Sequence, residues 1–242
     1  KGSAGAERTL DEYRKLGERY GIRYCGLASD EDDMAATTPL FVTAKGIRTA
    51  IVNFTYGTNL GADRHWPKVN YMNNRTDLKK ALKASEGADF TLVLPHWGNE
   101  YEILPSKHQR KLAEVMKSAG VDLIIGSHPH VVQPMEVDFS LNSGRGVATV
   151  YSLGNFISNQ NDVNSRGGAM AKVLMSRYDD RPVLLGVKPS LFFCQKPIRG
   201  KDNYVVVPQE LKDSVRADSK AVFQSFMRNA ENLFEKYNKN ID

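Results

Sequence analysis

A chain of 242 residues with 41% hydrophobic and 25% charged side chains has the composition of a soluble globular protein, long enough for one large α/β domain. No apolar run approaches the roughly 18 residues that cross a bilayer, which excludes a spanning helix. The 33 basic side chains against 28 acidic ones are scattered rather than gathered on a stripe, so the net charge of +5 argues against nucleic acid and for a general attraction to anionic partners. Cys25 and Cys194 lie far apart with no C-x-x-C spacing, which excludes a zinc ribbon or a dithiol redox motif; whether they pair is not readable.

In chain order, Leu10, Tyr13, Leu16 and Tyr20 recur at helical intervals and Gly21 offers a C-cap, which predicts a first helix. The start, KGSAGAERTLDEYRKLGERYG, has neither an initiating Met nor an apolar signal core and reads as a chain entered part-way through a domain. IRYCGL predicts a short strand, and PLFVTAKGIRTAIVNFTYG a hairpin turning at Lys45-Gly46. RTDLKKALKASEG predicts a second helix, DFTLVLPHW a buried strand, PSKHQRKLAEVMKSAG a third helix and VDLIIGSHPH another apolar strand. This strand–helix–strand alternation favours a parallel or mixed sheet. From Val131 the pattern turns to strands joined by Gly, Asn and Asp, and LKDSVRADSKAVFQSFMRNAENLFEKYN predicts one long closing helix. Residues 1–242 read as a single domain.

His96 and the pair His128/His130 each follow an apolar strand, and in α/β sheets ligands bind beyond the carboxyl ends of the strands. Neutral imidazoles in such a place suit Zn, Fe, Mn or Ni. The residues alone leave metal ligation, pH-sensitive hydrogen bonding and plain structure open, with metal ligation favoured. Glu100 is a candidate carboxylate ligand or general base for the same rim. Asn155, after Gly154 in VYSLGNFIS, is a candidate to contact an oxyanion or orient a histidine, and Trp97 to stack on a ligand or to pack in the core. His65 and His108 lie in polar surroundings and are set aside.

LVLPHWGNEYE, DLIIGSHPHVVQPMEV and VYSLGNFI together resemble the CapA-type poly-γ-glutamate capsule synthesis proteins of bacteria, a branch of the calcineurin-like metallophosphoesterases. The resemblance implies an α/β fold, a four-layer α/β/β/α sandwich, and an extracytoplasmic protein of the cell envelope. It implies His96 and His128 as ligands of one metal and His130 of another, with His130 and Glu100 in catalysis and Trp97 and Asn155 near substrate. The expected cofactor is Mn, Fe or Zn, and the expected substrate a phosphoester or an anionic γ-glutamyl polymer. The alternative is a non-catalytic component that holds or exports such a polymer. The family's Gly-Asp and Asn-Asn-His segments are expected upstream of Lys1. The expectation is therefore an N-terminally incomplete domain that holds one ion or none, any membrane anchor lying in the upstream segment or that segment travelling as a separate chain.

Overall fold

The computed structural model describes residues 2–59, 65–72, 75–139, 146–179, 181–198 and 202–241. They separate into two compact units, Lys1–His96 with Met116–Leu123 and Trp97–Val115 with Ile124–Asp242.

In the first unit, α1 (Ser3–Tyr20) buries Leu10 and ends at Gly21 in the left-handed conformation, as the apolar spacing predicts. Of IRYCGL only the end is extended: β1 (Leu27–Ala28) pairs with β4 (Lys68–Val69). Between β1 and the next strand lies α2 (Glu31–Thr37), which the sequence reading passed over. Its signal is Asp30, whose carboxylate accepts the Asp33 N–H at 2.8 Å and caps the helix, followed by three acidic residues that favour its N-terminal dipole. The hairpin of β2 (Leu40–Ala44) and β3 (Ile47–Thr55) turns at Lys45 and Gly46, both at positive φ as a two-residue turn of matching twist requires. From there α3 (Arg75–Ala84) crosses over to β5 (Phe90–His96), which runs parallel to β3. The order β2-β3-β5 with one antiparallel and one parallel pairing makes the sheet mixed. Ala50, Val52 and Phe54 of β3 and Phe90, Thr91, Val93 and Pro95 of β5 are buried.

The second unit takes most of α4 (Lys107–Ser118) and the end of β6 (Leu123–Ile125), then β7 (Met135–Phe139) and β8 (Gly146–Val150). A long hairpin follows, β9 (Gly167–Tyr178) and β10 (Arg181–Gln195), flanked by β11 (Val205–Pro208), and α5 (Lys220–Tyr237) ends the chain. One sheet has the order β6-β8-β7 and the other β11-β10-β9. Arg110 of α4 lies over the Tyr151 ring at the end of β8, β8 packs on β10, and Phe193 of β10 meets Phe223 and Phe226 of α5. The succession α4, sheet, sheet, α5 is the expected α/β/β/α order.

Two expectations fail in detail. The closing helix does not run from Leu211. Residues Gln209–Ser214 and Ala217–Ser219 form 3-10 turns, with Val215 buried and extended between them. Arg216 explains the break: its N–H donates to Gln195 Oε1 at 2.8 Å and its guanidinium to the Lys196 carbonyl at 2.7 Å, which ties the chain to the end of β10. VVQPMEVDFS is strand only from Met135, because Val131–Pro134 belongs to the loop that carries the histidines.

Candidate functional site

The second unit builds its site from three turns. Trp97 leaves the end of β5 and donates its backbone N–H to the Ser127 carbonyl at 3.0 Å. Its indole Nε1 donates to the Tyr151 carbonyl at 2.9 Å, and the two rings stack at 6.0 Å. Trp97 is 1% exposed, so the ring is core and does not reach a ligand; the substrate-stacking expectation is corrected here. Gly126 is fixed by the same contact. A Cβ there would stand 2.2 Å from both Trp97 Nε1 and the Tyr151 carbonyl oxygen, closer than any real carbon approaches.

Beyond Gly126 the chain is held in costly backbone geometry. His128 and His130 have φ of 107° and 62°, and Tyr101, facing them, has 64°. Residues of this kind persist at positive φ only where their surroundings over-determine them, and such strain clusters at functional sites. Here the Tyr101 N–H donates to the Pro129 carbonyl at 2.8 Å, and the Tyr101 ring stacks on His130 at 5.9 Å. The His128 and His130 rings lie 6.2 Å apart at 52°.

The tautomer of His130 follows from a chain of bonds. Asn155 Nδ2 donates to the Ser165 carbonyl at 3.0 Å, which can only accept, so Oδ1 faces the other way. That oxygen lies 2.9 Å from His130 Nδ1, which must therefore carry the proton. In the neutral imidazole the lone pair is then on His130 Nε2, 3.8 Å from Glu100 Oε1. Burial pushes the His128 pKa below its ordinary value, more than Glu100 raises it, and nearby His130 lowers it further. Neutral His128 is the ligating form. Imidazole and carboxylate are donor types that divalent first-row metals take, and a carbonyl on the far ring nitrogen is the usual support for a metal-binding histidine. The ligand atoms of His128, His130 and Glu100 do not all lie within 4.8 Å of one another, however; among the described residues those of Glu114, Glu136 and Asp138 do.

Glu100, His128, His130 and Asn155 are thus brought together. His96 ends β5 in the first unit, where its exposed ring stacks on Tyr56 at 6.1 Å. Gly154 has the close approach its sequence context suggested, but to backbone: a Cβ there would stand 2.9 Å from the Gly167 carbonyl oxygen.

Sequence reasoning missed the support beneath the site. Gln109 and Gln133, both fully buried, join through Nε2 and Oε1 at 2.9 Å. Gln133 Nε2 then donates to the Glu102 carbonyl at 2.7 Å, and Gln109 Oε1 accepts the Ser106 N–H at 2.9 Å. This couples the loop bearing Glu100 to the loop bearing the histidines. Gln133→Leu is expected to destabilise the protein by about 1–3 kcal/mol, because it strands the Gln109 amide in the interior. Urea denaturation measures this, and an unchanged midpoint would contradict it.

Residues 1–160 match the model of a family described as bacterial capsule synthesis protein PGA_cap. The chain is 35% identical over 173 residues to the PGA biosynthesis protein CapA of Bacillus subtilis (strain 168), covering 71% of this chain and 43% of that one. It is 31% identical over 191 residues to the capsule biosynthesis protein CapA of Bacillus anthracis, covering 76% of this chain and 44% of that one. It therefore spans less than half the length of these curated relatives. Among solved structures it is similar to the 5'-nucleotidase precursor from Thermus thermophilus, with TM-score 0.42, 16% identity, and coverage of 88% of this chain and 38% of that one. It is also similar to the sulfate thiohydrolase SoxB of the same organism, with TM-score 0.42, 14% identity, and coverage of 92% of this chain and 35% of that one. His128, His130, Glu100 and Asn155 all fall inside the matched span, and the chain belongs to the bacterial capsule synthesis protein PGA_cap family.

Proposed function

We propose that this chain is the metal-binding, hydrolase-like part of an extracytoplasmic capsule synthesis protein. The observation that carries the reading is the bond from His130 Nδ1 to Asn155 Oδ1, which leaves Nε2 on the side of Glu100 Oε1, 3.8 Å away, with the His128 ring 6.2 Å from that of His130. His128 and His130 would hold a divalent Mn, Fe or Zn ion. When bound, such an ion supplies Lewis acidity toward a scissile phosphoester or amide and lowers the pKa of a water. The chain's own residues do the rest. Asn155 Oδ1 keeps the proton on Nδ1, the Tyr101 ring holds the plane of His130, and Glu100 offers a carboxylate for proton transfer near Nε2.

An anionic polymer of the γ-glutamyl type or a phosphoester is the proposed substrate, in keeping with the names of the relatives and the net charge of +5. The test is turnover of p-nitrophenyl phosphate and of γ-glutamyl oligomers with Mn, Fe or Zn added, comparing the wild type with His128→Ala. Metal-dependent turnover that the variant loses is expected. Polymer binding without turnover in both proteins would leave a holding or export role and sink the hydrolase.

A further inference from the structure

Glu114, Glu136 and Asp138 each bring a carboxylate oxygen within 4.8 Å of the other two, all in the second unit. The sheet explains the convergence. Glu136 and Asp138 are two residues apart on β7 and project from the same face. In the ladder Glu136 is paired with Thr149 of β8, so the Thr149 side chain stands directly beside that of Glu136. Helix α4 lies over this face. Its Arg110 meets the Tyr151 ring at 5.4 Å, and Glu114, one turn on, reaches the two carboxylates of β7. Acids gather at surfaces without any ligand, but the hydroxyl beside them is a separate signal. Thr149 is 0% exposed, and its Oγ1 has no hydrogen-bond partner. Glu136, directly opposite and also buried, instead accepts from Tyr151 Oη at 2.7 Å. Sealing a hydroxyl from water without a partner is costly, and native proteins rarely do so unless something else takes the oxygen.

All four groups offer oxygen, which selects a hard cation over the ions that imidazole prefers. Calcium takes six to eight oxygens at about 2.3–2.6 Å in flexible geometry, so two of its ligands stand at most about 4.6–5.2 Å apart. The three carboxylates already meet that limit. Lys239 Nζ lies 4.0 Å from Glu136 Oε2, but its side chain is 66% exposed, and a surface pair of this kind opens at little cost. We propose that Glu114, Glu136, Asp138 and the Thr149 hydroxyl form a calcium site. The Thr149 oxygen gives a lone pair from the buried side, and water completes the shell on the side of Glu114 and Asp138, which are exposed. The ion ties α4 to β7. No histidine takes part, so the assignment does not depend on the metal reading of His128 and His130.

The test is calorimetric titration of calcium chloride into the whole chain. Saturable binding of one calcium ion is expected, with a thermal midpoint that rises as calcium is added. An excess of calcium then keeps this site filled while Mn or Zn is titrated into the histidine pair. Asp138→Asn should weaken calcium binding at least tenfold; the residue is exposed, and a melt without calcium verifies that the variant folds. Thr149→Val removes the hydroxyl alone. It should weaken binding at least threefold while the calcium-free variant melts no lower than the wild type, because no hydrogen bond is lost. His128→Ala should leave calcium binding unchanged. No saturable binding, or binding indifferent to Asp138→Asn or to Thr149→Val, would overturn the assignment. Loss of binding in His128→Ala would also overturn it, because the ion would then sit at the histidines.

Discussion

Trp97→Ala is expected to cost about 3–5 kcal/mol of stability, the usual range for emptying a large aromatic from a core. The side chain is 1% exposed, stacks on Tyr151 and donates to its carbonyl, so the variant loses packing and leaves a buried acceptor unpaired. The loss is also local to the site. Gly126 and Ser127 lie against Trp97, and they lead directly into His128. A urea titration should show the midpoint falling well below that of the wild type, and a shift worth under about 1 kcal/mol would mean that the indole is not the keystone described here. Trp97→Phe separates the two contributions, since it keeps most of the apolar volume and removes only the N–H donor.

Asn155→Leu is the second change with a large expected effect, this time on ligation. Without the acceptor at Nδ1, the His130 proton is free to move to Nε2, the nitrogen that faces Glu100. Loss of such a supporting partner typically lowers metal affinity about 10–100-fold. Metal titration gives the affinity, and nitrogen NMR of the imidazole gives the tautomer, which a merely structural role for Asn155 would not alter. Asn155→Asp retains an acceptor and should recover the Nδ1–H tautomer. If Asn155→Leu leaves both readouts as in the wild type, His130 is oriented by something else.

Much of this arrangement was legible in the sequence where local rules act alone. The first helix ends at Gly21 and the hairpin turns at Lys45-Gly46, because spacing and backbone preference settle both without tertiary help. The histidine-bearing loop was legible as a strand exit. Its backbone was not, because positive φ at His128 and His130 arises from contacts made by Tyr101 and Asn155. Trp97 was ambiguous for a related reason: an indole beside a histidine has the same sequence signature whether it faces a ligand or the core. Gln109 was hidden by its neighbours, since KHQRK reads as a solvated helix start although the glutamine is fully buried. The 3-10 break before α5 escaped notice because Arg216 looks like an ordinary helical residue until Gln195 and the Lys196 carbonyl hold it.

The most direct test of the central claim is a calorimetric titration of Mn and Zn into the chain, with and without His128→Ala and His130→Ala together. Binding of one divalent ion per wild-type chain, weakened at least 100-fold in the double variant, is the predicted result. Equal binding in the two proteins would contradict it, and so would a wild-type chain that takes up no ion.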